Sequence, residues 1–350
     1  AAAQFGGFMA MLSLKEGSGK HLKSFFAGLL ISFSVVLEYP ALFAAAALTL
    51  YFMLSRRDVR SWALYFAGAL IPAALLSFFH YEAFGAIYRT PYATLENPGY
   101  VQDIAPGFMG LREPKLENLY GSFFSPYMGL FFFSPWLLFI FPAIILLIWK
   151  WKNFRANGQG WSAGNELLVS IVICFIYAAF IACHSLWRGG WTVGPRYIAG
   201  IVPFAMFAAA LFVSRLERNG YKHYRIVLFS LIAVSLIITP LASIIIQGFP
   251  PEYLNPFAEM AVPMLSRGFA RPNAGNLIGL YGVYSLIPFL SILLFLILYI
   301  AFSPTDWKNR LLKGFVTLAI ASALIAGVMH IKSPDTKGVE EATKFLKSVW

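Results

Sequence analysis

The chain has 350 residues, of which 59% are hydrophobic and only 12% charged, and its mean hydropathy is +0.68. A soluble domain carries about twice that share of charge, so a soluble globular fold is excluded. The net charge of +11 would suit nucleic acid, but the basic residues cluster in short loops between apolar runs, which is the pattern of a membrane protein and not of a nucleic-acid face.

A run of roughly 17–25 apolar residues crosses a hydrocarbon core of about 30 Å as a helix. The runs here are continuous and do not alternate with polar residues, so helices are expected and a closed barrel is not. In chain order they predict ten spans, at 1–14, 24–37, 41–54, 61–79, 130–149, 165–183, 197–214, 226–247, 276–302 and 314–330. The expected fold class is all-α, a polytopic transmembrane helix bundle forming a single domain over 1–350. The first run is short and has neither a charged leader nor a cleavage site, so it does not read as a signal peptide. The chain begins on Ala1 and not on Met, and is read as the continuation of a longer N-terminal part.

Glu38-Tyr39-Pro40 separates the second and third runs. Pro40 biases Tyr39 away from helix, which predicts a tight turn at the tip of a helical hairpin. The loops 15–23, 55–60, 150–164, 215–225 and 303–313 hold 16 of the 27 Lys and Arg residues. These basic loops are assigned to the cytoplasm, which places 80–130, 184–196, 248–275 and the tail 331–350 on the outer side. Leu116, Leu119, Tyr120, Phe123 and Phe124 recur at helical spacing inside the longest loop and predict an interfacial helix. Val339, Ala342, Phe345, Leu346 and Val349 predict a second surface helix in the tail, or the start of an outer domain. Cys174 and Cys183 lie nine residues apart on one expected helix, hence on opposite faces, so they form no disulfide.

Residues suited to chemistry gather in the expected outer segments. The stretch from His184 through Trp187, Arg188, Gly189, Gly190, Trp191 and Gly194 to Arg196 joins guanidinium groups, indoles and glycines. Arginine offers a planar donor fork for phosphate, glycine lets the backbone approach a ligand, and Trp stacks on sugars. The plainer reading is an aromatic belt with snorkelling arginines. Glu38, at the hairpin tip, is either a solvated turn residue or an acid aimed into a cavity. His80 and Glu82, with Tyr81 between them and Arg89 nearby, offer proton transfer or a pair of metal ligands, or form an ordinary interfacial cluster. No nucleotide, dinucleotide or zinc motif is present. No cofactor is assigned, and a divalent metal remains compatible with the sequence.

Gly189-Gly190-Trp191-Thr192-Val193-Gly194-Pro195-Arg196-Tyr197 followed by an apolar span resembles a segment of bacterial C-type (GT-C) glycosyltransferases, which are related to the protein mannosyltransferases and aminoarabinose transferases. Ala27-Gly28-Leu29-Leu30 through Leu37-Glu38-Tyr39-Pro40 looks like the family's hairpin. Gly129-Leu130-Phe131-Phe132-Phe133-Ser134-Pro135-Trp136 looks like its lead-in to a span. These pieces stand in the family's order across most of residues 20–215. The resemblance implies transfer of a sugar from a polyprenyl-phosphate donor to a lipid, glycan or protein acceptor, at the outer face of a bacterial inner membrane. It also implies a catalytic acid in a first outer loop, which would precede Ala1. Glu38 stands where many relatives have Lys, so no phosphate-binding role carries over to it. On this reading Arg196 and then Arg188 hold the donor phosphate. Trp187, Trp191, His184, Tyr39 and Glu82 contact sugar or acceptor, and Glu38 and His80 serve proton movement. The competing readings are a transporter or lipid flippase, a surface-glycan polymerase or ligase, and a non-catalytic membrane scaffold.

Overall fold

The structure is a computed structural model that describes residues 1–15, 19–56, 58–93, 101, 110–156, 163–190, 192–221, 224–245, 248, 253–302, 307–332 and 344. The expected tail helix after Ile331 lies outside the described residues. The long helices are α1 (Ala2–Leu12), α2 (Lys20–Leu37), α3 (Ala41–Ser55), α4 (Val59–Phe84), α5 (Leu116–Phe123), α6 (Ile140–Ala156), α7 (Ala163–Cys183), α8 (Val202–Arg218), α9 (Tyr224–Ile245), α10 (Ile287–Phe302) and α11 (Trp307–Met329). Among the described residues there is no strand, and β pairing is limited to a single bridge between Leu111 and His184.

Among the described residues seven helical stretches are long and apolar enough to cross a membrane, and Ala2–Leu12, Ala41–Ser55, Pro135–Leu146 and Phe257–Ser266 are shorter apolar helices. The side chains agree with lipid outside. On α4, Leu70, Leu75, Phe78 and Phe79 are exposed, while Ser61, Tyr65, Gly68 and Pro72 are buried. Three of the expected spans differ in the structure, the first being 130–149, which opens on a four-residue helix (Leu130–Phe133) and a 3-10 turn (Pro135–Phe139) before α6. Helix α4 runs past residue 79, so His80 and Glu82 lie within it. The run 276–302 is not one helix, because two 3-10 turns (Ala274–Ile278 and Gly282–Leu286) precede α10.

The chain divides into two compact units, one of Ala1–Asn118, Phe139–Trp187 and Tyr197–Ser214, the other of Leu119–Leu138, Arg188–Arg196 and Arg215–Trp350. In the first, α2 packs along α4. Ser24, Ala27, Gly28, Ile31 and Ser34 of α2 are buried, spaced three and four apart, and they meet the 61-65-68-72 stripe of α4. Lipid tails are as apolar as leucine, so association between spans depends on close packing by small residues. At this seam a Cβ on Gly28 would sit 1.9 Å from the Tyr65 carbonyl oxygen, and one on Gly68 would sit 2.1 Å from that of Phe25. Asp58 caps α4 by accepting the Arg60 N–H at 3.2 Å and the Ser61 hydroxyl at 2.9 Å. Phe8 anchors an aromatic core, with ring centroids 5.6 Å from Phe204, 5.5 Å from Phe207 and 6.1 Å from Tyr51.

In the second unit, polar side chains join helices where apolar contact gives no driving force. The Ser230 hydroxyl on α9 is 3.2 Å from the Thr317 carbonyl oxygen on α11. Thr239 donates to the Phe133 carbonyl at 2.8 Å. The fully buried Asn255 donates to the carbonyls of Val328 and Ile331 at 2.7 and 3.1 Å, which ties it to the C-terminal end of α11 and the residues just beyond.

Candidate functional site

In the first unit the Glu38-Tyr39-Pro40 turn joins α2 to α3 as expected, with the Ala41 N–H donating to the Glu38 carbonyl at 3.0 Å. Glu38 is exposed and Tyr39 half-buried. The Tyr39 hydroxyl lies 2.9 Å from Nε2 of the buried His80, and His80 Nδ1 lies 3.2 Å from the Ile87 carbonyl oxygen. A carbonyl can only accept, so the bond assigns the proton to Nδ1 and leaves Nε2 to accept the Tyr39 O–H. Tyr92 sits edge-on to Tyr39 at 6.1 Å, and Phe79 and Phe84 flank the imidazole at 6.1 and 6.0 Å. Burial holds the Tyr39 phenol above its ordinary range. Glu82 is exposed, two residues further round the helix and so on another face from His80.

A second construction in the same unit joins two distant loops. Arg112 N–H donates to the Cys183 carbonyl at 2.7 Å, Lys115 N–H to Ala182 at 2.8 Å, and Ser185 N–H to Gly110 at 2.9 Å. The Asn118 side chain donates to the carbonyls of Ala182 and His184 at 3.0 and 3.1 Å. Together these bonds satisfy carbonyls at the C-terminal end of α7 and fix residues 110–118 to 182–185. The buried His184 ring stacks on Tyr197 with centroids 5.0 Å apart and planes at 25°, and Phe180 meets its edge at 5.1 Å. Its Nδ1 accepts the Leu186 N–H at 3.3 Å, and burial lowers its pKa from 6.5. Trp187 follows, half-buried.

Arg188 and Arg196 belong to the second unit, and both are exposed. The Arg188 guanidinium stands 5.7 Å from the centre of the Tyr127 ring, a cation–π distance. Gly190 and Gly194 take φ of +84° and +81°, which a side chain would resist. Thr192 donates to the Gly194 carbonyl at 3.1 Å. Arg196 opens the 3-10 turn Arg196–Ile201 that leads into α8. Trp191 lies outside the described residues. The turn therefore presents a guanidinium at each end on a backbone shaped by glycine.

The structure thus brings Tyr39 and His80 into direct contact, with Glu38 beside them in sequence, and gives His184 a packed position. Four polar residues were not singled out from the sequence. Gln4, fully buried in α1, donates to the Ala41 carbonyl at 3.1 Å and lies 3.2 Å from the Tyr177 hydroxyl. Glu166 in α7 is buried and accepts the Tyr51 hydroxyl at 3.1 Å. Asn118 and Asn255 hold loop ends as described. The signal for Gln4 was available, since a lone polar residue inside an apolar run is costly unless partnered, whereas Glu166 follows Asn165 at the start of its run and reads as a loop residue. Among the described residues no group of three or more His, Cys, Asp or Glu side chains could hold a metal ion. No family model, curated protein or solved structure matches the chain.

Proposed function

We propose that the chain is a membrane glycosyltransferase that moves a sugar from a polyprenyl-phosphate donor to a lipid, glycan or protein acceptor at the outer face of a bacterial inner membrane. The observation that carries the reading is the 188–196 turn, with exposed guanidinium groups at both ends. A prenyl donor stays in the bilayer with its phosphate at headgroup level. A fixed cation there would favour the phosphate as it leaves, because preorganised donors stabilise developing charge. In this reading Arg196 and Arg188 of the second unit meet that phosphate and, separately, within the first unit, His80 with its Tyr39 partner offers proton movement.

The same reading counts ten membrane crossings, the shorter α1, α3 and Pro135–Leu146 included, and lays α5 on the outer surface. Helix α5 is inverted for a protein in water. Asn118 and Ser122 are buried, whereas Leu116, Tyr120 and Phe124 are 84%, 58% and 51% exposed. That arrangement suits an interfacial helix.

The test is retention of undecaprenyl phosphate by the chain in nanodiscs, read by native mass spectrometry against undecaprenol. The expected result is preferential retention of the phosphate, weakened at least about tenfold, or roughly 1.4 kcal/mol, by Arg196→Ala and less by Arg188→Ala. Equal retention of phosphate and alcohol would remove the proposed site. The buried Glu166 favours transport as a second reading, since intramembrane acids mark ion and proton paths.

A further inference from the structure

We infer that the double turn at Ala274–Leu286 is a membrane-interface anchor, with Leu277, Ile278, Tyr281 and Tyr284 immersed at the boundary between headgroups and acyl chains. The segment is rigid. Asn273 accepts the Gly275 N–H at 2.9 Å, Asn276 accepts the Asn273 N–H at 2.7 Å, and the Asn273 amide donates to the Ser285 hydroxyl at 2.7 Å. The two turns press together so closely that a Cβ on Gly275 would sit 2.1 Å from the Ser285 carbonyl oxygen. The Asn273, Asn276 and Ser285 side chains are therefore bonded within the segment.

What it turns outward is apolar. Leu277, Ile278, Tyr281 and Tyr284 are 89%, 67%, 70% and 68% exposed. A water-facing loop held this firmly would reverse that arrangement, because displaying fixed leucine and isoleucine to water has no compensating contact. The exposed stripe does not stop at the loop. It runs on through Ile287, Leu290 and Leu294 of α10, spaced three and four apart along a stretch apolar enough to span the bilayer. The lipid that covers the helix thus reaches the loop without a break. Tyrosine is the residue type expected at that depth, with its ring in the apolar boundary and its hydroxyl in the headgroups. The exposed Arg267 completes the pattern. The neighbouring Gly268 carbonyl oxygen sits 2.9 Å from where a Gly282 Cβ would stand, so a cation borders the apolar patch at a position suited to lipid phosphate.

The anchor is independent of any sugar-transfer activity, and so is its test. Nitroxide labels are placed at Leu277→Cys and Tyr284→Cys in a Cys174→Ser, Cys183→Ser chain in phospholipid nanodiscs. Leu294→Cys serves as the lipid reference and Glu113→Cys as the aqueous one. Power saturation should show both loop labels more accessible to oxygen than to a nickel chelate, approaching the Leu294 label. Labels that follow Glu113 would place the loop in water and overturn the anchor. Labels shielded from both reagents would mean that protein covers the patch, which overturns it too. If the cysteine-substituted chain fails to fold, Leu277→Trp with native cysteines gives the same reading. Its added fluorescence should be quenched by lipids brominated high on the acyl chain, and absence of quenching overturns the inference.

Discussion

The Tyr39 hydroxyl meets His80 Nε2 at 2.9 Å, tying the α2–α3 turn to the last turns of α4. The imidazole is buried and its other nitrogen is committed to the Ile87 carbonyl. Tyr39→Phe therefore leaves a buried acceptor without this donor, and the expected loss is about 1–3 kcal/mol, read as thermal stability in detergent. His80→Phe in the Tyr39→Phe background should recover part of that loss, because two apolar rings replace an orphaned pair. A double mutant no better than the sum of the single changes would mean that the bond contributes nothing.

The seam between α2 and α4 makes a sharper prediction. Gly28→Ala forces a methyl against the Tyr65 carbonyl oxygen, which belongs to helix backbone and cannot rotate away. Overpacking of this kind costs about 1–3 kcal/mol and sometimes more. Gly6→Ala is the control, since its nearest neighbour is a flexible Leu30 methyl at 3.4 Å, and it should be close to neutral. The monodisperse fraction on size exclusion after heating separates the two.

These two relationships differ in how far the sequence could reveal them. Helical spans are legible because lipid demands long apolar runs, and the hairpin turn is legible because Pro40 restricts Tyr39. The end of α4 was also written in the sequence. Gly85 closes it in the left-handed conformation, a recognised stop signal, although the apolar run ends earlier. The break before α10 was legible as well, since Gly275, Asn276, Gly279 and Gly282 interrupt the apolar run there, and glycine and asparagine favour turns. The pairing of Tyr39 with His80, and of 110–118 with 182–185, spans 41 residues or more. The second pairing rests largely on backbone carbonyls, which every residue carries, so composition cannot announce it.

His184 supplies the pH dependence. Burial lowers its pKa from 6.5, so the folded chain resists a proton that the unfolded chain accepts. Its contribution is fully present above about pH 6.5 and is lost as pH falls from there through the lower folded value. Protonation at Nδ1 would also end its acceptance of the Leu186 N–H. Protection factors at residues 184–186, which allow for the slower intrinsic exchange at lower pH, should therefore fall on acidification, and His184→Asn should flatten that dependence. Equal pH profiles for both chains would show that the ring does not couple to the turn.

Glu166 separates the two functional readings. It is buried near the start of α7, where the helix dipole favours negative charge, and it accepts the Tyr51 hydroxyl. Glu166→Gln keeps an acceptor oxygen for Tyr51 but can neither carry a charge nor exchange a proton. If the carboxylate is structural, retention of undecaprenyl phosphate in nanodiscs should stay within about twofold of wild type, and vesicles holding either form should show no proton uptake. Glu166→Ala should instead cost roughly 1–3 kcal/mol of stability, because it removes the carboxylate acceptor of the buried Tyr51 hydroxyl. Proton uptake by wild-type vesicles that Glu166→Gln abolishes would make the acid part of a conduction path, and the transport reading would then displace the enzyme.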